Sequence, residues 1–222
     1  NERGIKDIQI AILSCYLPLH NLAERIESLN MYKTDNESIN DLITFQKTEP
    51  IEEKTIRLNI TKIAEIKDNA SKKVKDQYEV NPYPRWRSIE SHYQNKVSIS
   101  NAIRTDIRPN DLEIPNKQHR QEVLIAGCGT GRQIIHATRY QNSNITAIDL
   151  SITSLSYAQR KLNEKNLNQV KLIAMDILEI PLLNKKFDVI ECCGVLHHMN
   201  EPAKGLRILS ESLVNNGYIK LA

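Results

Sequence analysis

Three glycines and one aspartate carry the clearest chemistry in this sequence. The glycines alternate at Gly127, Gly129 and Gly131, directly after the apolar run Val123-Leu124-Ile125-Ala126. Glycine reaches positive φ at little cost and leaves bare backbone on which a ligand can lie. Asp149 follows Gly127 by 22 residues. In nucleotide-binding α/β folds an acid about 20 residues on accepts hydrogen bonds from ribose hydroxyls. The pattern therefore points to an adenosine-containing ligand. The competing reading, a glycine turn that only packs strand against helix, leaves the downstream acids without a purpose.

These residues need elements to hold them. Val123–Ala126 suits a buried parallel strand, and Arg132–Thr138 reads as the helix after the turn. Asn144–Ile148 forms a second strand that ends at Asp149. Ser151 is a plausible cap for a helix over 152–165 carrying Leu155, Ala158 and Leu162. Pro202 suits the first turn of a later helix. Its expected stripe is Leu206, Leu209 and Leu213, with Asn216-Gly217 as its end. Strand and helix alternate from residue 122 onward, which predicts a Rossmann-like, doubly wound, mostly parallel α/β sheet. Ligands in such sheets bind beyond the carboxyl ends of the strands. Gly127–Gly131, Asp149, Asp176 and Cys192–Gly194 all fall at that edge.

The spacing G-x-G-x-G differs from the G-x-G-x-x-G of dinucleotide folds. Val123-Leu124-Ile125-Ala126-Gly127-Cys128-Gly129-Thr130-Gly131 resembles motif I of the class I S-adenosylmethionine-dependent methyltransferases. The resemblance runs from about residue 122 to the end of the sequence. It implies that Asp149-Leu150 binds ribose and that Asp176-Ile177 binds adenine. It implies that Phe187–Cys192 is strand four, followed by the loop Gly194–Pro202. The cofactor-binding set implied is Gly127, Cys128, Gly129, Gly131, Asp149, Leu150, Asp176, Ile177, Cys193 and Gly194, with S-adenosyl-L-methionine as cofactor. The family often has an acid two residues before the first glycine, at the place of Ile125 here. The cofactor's amino group is therefore expected to rely on backbone carbonyls or another acid. The expected strand order is 3-2-1-4-5. The resemblance implies seven strands, whereas five are visible. The sequence also begins at Asn1 without methionine, so a piece of a longer chain is expected, shortened at its C-terminal end.

Three stretches are expected: a helical segment over 1–60, a helix, strap and linker over 61–121, and the methyltransferase domain over 122–222. In the first, residues 4–30 read as helical with a break at Pro18 and a second helix capped by Asn21. Residues 36–46 form a third helix, broken at Glu49-Pro50. An amphipathic helix over 62–80 carries Ile63, Ile66, Ala70, Val74 and Tyr78. Two prolines and three aromatics in Tyr78–Trp86 then forbid helix. This strap is expected to dock on the domain, or else to act as a lid with Tyr78, Tyr83 and Arg85 facing the pocket. Gln77–Trp86 also resembles a segment of bacterial methyltransferases fused to tetratricopeptide repeats. Residues 87–121 are polar and read as a linker.

Thirty Lys and Arg against 27 Asp and Glu give a net charge of +3, which argues against a dedicated nucleic-acid surface. The four cysteines show neither disulfide nor zinc spacing. Reduced thiols and a cytoplasmic location are the default. No apolar run nears the roughly 20 residues needed to span a bilayer, so no membrane partner is expected. A protein partner on the N-terminal helical segment remains open. His197 and His198, after strand four, are candidate general bases for a protonated acceptor; no metal site is expected. The function expected is methyl transfer to an unidentified acceptor, a small molecule or protein side chain. A non-catalytic methyltransferase-like binding module is the alternative. A nicotinamide oxidoreductase is disfavoured by the glycine spacing and by Asp176.

Overall fold

The computed structural model describes residues 5–88, 95–110, 112–114 and 117–222. Residue 4, counted above in the first helix, and parts of the expected 87–121 linker lie outside them. The chain divides into two compact units, one ending at Leu58 and one starting at Asn59. The stretch 61–121 thus belongs to the same unit as the sheet.

The first unit is all helical: α1 (Asp7–Tyr16), α2 (Leu19–Ala23), α3 (Glu27–Asn30), α4 (Glu37–Ile43) and α5 (Glu49–Arg57). Its core is Ile10, Leu19, Ala23, Leu29 and Ile39. Asn36 caps α4 by accepting from the Ser38 and Ile39 amides at 3.1 and 3.3 Å. Two expectations fail here. The helix expected to start at Asn21 is two short helices, with Pro18 before the first. Glu49-Pro50 does not break the third helix. A π-helical turn over Thr44–Thr48 leads straight into α5, where Pro50 sits in the first turn and its missing N–H is harmless.

The second unit holds a six-stranded sheet: β1 (Thr61–Lys62), β2 (Gln121–Ala126), β3 (Ser143–Asp149), β4 (Val170–Ala174), β5 (Phe187–Cys192) and β6 (Leu213–Leu221). The spatial order is β1-β4-β3-β2-β5-β6, and every recorded pair is parallel. For the five strands expected from sequence this is 3-2-1-4-5, with the two-residue β1 added outside β4. Val123, Leu124, Ile125 and Ala126 are all fully buried, as befits a strand covered on both faces. Leu124, Ile148, Ile173, Phe187, Ile190 and Leu209 form the centre of the core.

The helices of this unit are α6 (Asn69–Val80), α7 (Ile99–Asp106), α8 (Arg132–Ala137), α9 (Ile152–Glu164) and α10 (Pro202–Glu211). Helix α6 starts seven residues later than expected, because Asp68 caps it by accepting from Ser71 N at 2.8 Å. Helix α7 lies inside the expected linker, capped by Ser98. Helix α10 ends at Glu211, so Asn216-Gly217 is not its stop. Those two residues sit inside β6, where five steps of β6 (Leu213 to Tyr218) face only two steps of β5 (Phe187 to Val189). Asn216 takes φ +60° in that bulge. Leu213 accordingly belongs to β6, and Leu206 is 37% exposed, which leaves Leu209 as the deeply buried member of the stripe.

At the amino end of the sheet Asp188 ties three segments together. It accepts from Lys117 Nζ at 2.6 Å, His119 Nε2 at 3.2 Å and Glu122 N at 2.8 Å. Burial pushes the Asp188 carboxyl up, but the Lys117, Glu122 and His119 hydrogen bonds outweigh it, and the net position lies below the usual carboxylate range. A depressed folded-state pKa stabilises the fold above the unfolded carboxylate's pKa and ceases to do so as pH falls through the folded value. Asp188→Asn is therefore expected to cost about 1–3 kcal/mol at neutral pH. The difference from wild type should shrink on acidification below about pH 4. Urea melts across pH check this; a pH-independent difference contradicts it.

Candidate functional site

The strand order reverses between β2 and β5, and a cleft opens at the carboxyl ends there, where α/β folds place ligands. A cavity of about 730 Å³ occupies it, within the usual range for small-molecule sites. The turn after β2 forms its floor. Gly127, Gly129 and Gly131 all take positive φ, at +73°, +51° and +88°. Asp149, at the end of β3, fixes this turn: its Oδ2 accepts from Gly129 N at 2.8 Å and its Oδ1 from Ser151 N at 2.9 Å. Burial raises the Asp149 carboxyl, while the Ser151 and Gly129 amides pull it back. Asp176 follows β4, is 4% exposed, and accepts from Leu178 N at 3.0 Å.

Nine of the ten residues expected to hold the cofactor line this one cavity: Gly127, Cys128, Gly129, Asp149, Leu150, Asp176, Ile177, Cys193 and Gly194. Gly131 does not line it. A Cβ there would lie 2.7 Å from Ala158 Cβ, so its glycine serves the packing of the turn on α9. Of the strap residues, Tyr78 and Tyr83 line the cavity. Arg85 corrects the expectation that it faces the pocket: its guanidinium lies 4.7 Å over the Tyr157 ring. His198 lines the cavity and His197 stacks beside it, ring centroids 4.0 Å apart.

The strap is both docked and pocket-facing. Trp86 is 8% exposed and donates from Nε1 to Thr130 O at 3.1 Å. Thr130 Oγ1 donates to Pro84 O at 2.6 Å, and Tyr157 donates its hydroxyl to Trp86 O. Glu79, in the last turn of α6, accepts from the Ile152 and Thr153 amides at 2.9 and 3.2 Å, and so caps α9 from outside. A carboxylate there satisfies free N–H groups and complements the helix dipole. Trp86→Ala is expected to cost about 3–5 kcal/mol and to loosen the glycine turn through Thr130. A melting curve, together with amide exchange at Thr130, tests this. Unchanged exchange means the strap does not hold the turn.

Several residues at the site were not singled out from sequence. Glu191, 5% exposed in β5, accepts from Tyr140 Oη at 2.5 Å and from Gln133 Nε2 at 2.9 Å. Burial and the nearby Glu191 both push the Tyr140 phenol up. The sequence signal was a second acid, after Asp188, inside a strand whose other residues are apolar. Burial pushes the Cys192 thiol up to about 11 and raises Cys128 well above its ordinary value. Both stay protonated at neutral pH and act as packing groups rather than nucleophiles. Among the described residues, no group of three or more His, Cys, Asp or Glu is placed to hold a metal. Among them, too, no helix is long and apolar enough to cross a membrane.

Residues 123–217 match the family model described as a methyltransferase domain. The sheet order and the position of the cleft are those of the Rossmann-like class I methyltransferase fold. Among curated proteins, an uncharacterized protein of Synechococcus is 33% identical over 104 residues, 46% of this chain and 25% of that protein. An uncharacterized protein of Rickettsia prowazekii is 30% identical over 146 residues, 64% of this chain and 55% of that protein. The chain thus spans a quarter to just over half the length of these two relatives. A tRNA U34 carboxymethyltransferase of Campylobacter lari is 26% identical over 205 residues, 91% of this chain and 62% of that protein. Among solved structures, PKMT2 from Rickettsia typhi in complex with AdoHcy is 30% identical, with a TM-score of 0.43, over 47% of this chain and 21% of that one.

Proposed function

We propose that this chain binds S-adenosylmethionine and transfers its methyl group to an acceptor that is a small molecule or a protein side chain. The observation that carries the reading is Asp149, whose carboxylate faces the cavity while gripping the glycine turn through Gly129. The residues present fit the cofactor. A Cβ built on Gly194 meets nothing within 4 Å, and one on Gly129 only Tyr83 O at 3.9 Å, so both present open backbone. In this reading Asp149 accepts from ribose hydroxyls, and Asp176 with Ile177 holds the adenine; all three line the cavity. When bound, the cofactor supplies an already activated methyl group. The chain's own part is to hold an acceptor in line and to exclude water. Tyr78, Tyr83 and His198 line the acceptor side in this reading. His198 serves as base only where the acceptor arrives protonated.

The test is calorimetric titration of the chain with S-adenosylmethionine, S-adenosylhomocysteine and NAD. Binding of the first two and not the third supports the reading; the reverse makes it an oxidoreductase. Affinity without turnover in an acceptor screen makes it a binding module. A tRNA acceptor is the second reading, drawn from the name of the Campylobacter relative and its coverage of most of this chain. Arg132 lines the same cavity and suits a phosphate. Including tRNA in the screen separates the two. Reduced thiols support a cytoplasmic location. Ile8, Ile12 and Tyr16, exposed along α1, support a protein partner on the helical unit.

A further inference from the structure

We propose that Glu191 receives the α-ammonium group at the amino-acid end of the cofactor, an assignment that rests on the reading above. Glu191 is a buried carboxylate whose recorded partners are neutral donors, the Tyr140 hydroxyl and the Gln133 amide. Among the described residues it makes no ion pair. Its register partner on β6 is Lys220, but that amine pairs with Asp106 instead. A buried carboxylate with no cation in ion-pair contact is costly, and two of its roughly four lone-pair positions remain open. Glu191 also lines the cavity. The missing partner is therefore a cation that enters with the ligand.

Position in the sheet decides which cation. The register partner of Glu191 on β2 is Ile125, two residues before Gly127, and Ile125 is apolar and fully buried. The strand that leads into the glycine turn thus offers no acid of its own. Glu191 supplies one from the adjacent strand at the same height. Gln133 links it to the turn: it follows Gly131 by two residues and also reaches Cys193 Sγ at 3.3 Å. Asp176 follows β4, Asp149 ends β3, the glycine turn follows β2, and Glu191 lies near the end of β5. Three interstrand steps of ~4.8 Å separate the outer two by about 14 Å. That is the reach of an adenosine carrying an extended methionine chain, with adenine at Asp176 and the amino-acid end at Glu191.

The experiment compares S-adenosylhomocysteine with 5′-methylthioadenosine, which keeps the nucleoside and lacks the amino-acid end. Both are titrated calorimetrically into wild type, Glu191→Gln and Asp149→Ala. Glutamine keeps the shape and an acceptor for Tyr140 but removes the charge. We expect Glu191→Gln to weaken S-adenosylhomocysteine at least tenfold and to leave methylthioadenosine within about twofold of wild type. Asp149→Ala should weaken both ligands. Equal affinity of wild type and Glu191→Gln for S-adenosylhomocysteine overturns the assignment while the cofactor reading stands. A second measurement needs no variant: the α-deamino analogue should bind wild type at least tenfold more weakly than S-adenosylhomocysteine. Equal binding overturns the assignment even if Glu191→Gln fails to fold. If neither nucleoside binds wild type, both the cofactor reading and the assignment fall.

Discussion

Asp149→Ala should lower the affinity for S-adenosylhomocysteine by about 100-fold or more. Three contributions add up. The ribose loses an acceptor, and hydrogen bonds to a charged group contribute about 1.5–3 kcal/mol each. Gly129 N and Ser151 N lose the same carboxylate, so the turn and the start of α9 are released together. Binding must then re-order the turn as well as hold the ligand. The pH dependence has a definite sign. Burial raises the Asp149 carboxyl above its ordinary range, and a protonated carboxyl gives up acceptor capacity. Affinity should therefore fall as pH drops through that raised value and be flat above it. Titrations at several pH values read this directly. An Asp149→Ala protein that is folded by circular dichroism and binds as wild type would remove the main support for the cofactor reading.

Gly127→Ala carries the second large effect, and it is on the fold. A Cβ there would stand 2.3 Å from Val195 Cγ2, and φ is +73°. The backbone strain costs about 1–3 kcal/mol and the overpacking about 1–3 more. Against a typical stability of about 5–15 kcal/mol, a loss of about 2–6 is most of a modest domain's margin. Val195→Ala in the same chain removes the two methyl contacts at 2.3 and 3.0 Å, keeps the Cβ contact at 3.2 Å and leaves the strain. The double variant should recover part of the loss, and binding should remain impaired because the turn keeps its distortion. Thermal and urea melts of the single and double variants separate the two contributions. No recovery in the double variant would assign the cost to φ alone.

The strand order and the location of the cleft were legible because both follow from short-range pattern. Val123–Ala126 is apolar without a break, the glycines fix a turn, and alternating strands and helices admit few topologies. What escaped depended on partners distant in sequence. Glu191 read as part of a strand because its meaning lies in Tyr140, 51 residues earlier. The lid reading of the strap turns Arg85 toward the pocket, yet Tyr157 offers its cation a ring face. Asn216-Gly217 carries the letters of a helix end, and the sheet uses them for a bulge instead. Helix α7 was hidden by the polar composition around it, although Ser98 with Ile99, Ala102 and Ile103 spells a capped amphipathic turn. Proline misled at Glu49-Pro50, where the π turn supplies a start that the residue tolerates.

The hydrogen bonds between the strap and the glycine turn have a kinetic consequence. Pro84 O is held by Thr130, Trp86 Nε1 by Thr130 O, and Trp86 O by Tyr157, while Tyr83 flanks the cavity. Tyr83 O is the nearest group over Gly129, and the backbone of Tyr83 cannot swing far while Pro84, directly after it, and Trp86 stay anchored. Residence time is then governed by how often these anchors break together. Weakening one, as Thr130→Val does for the Pro84 bond, should speed dissociation more than it slows association, since affinity differences among variants of one site usually reside in koff.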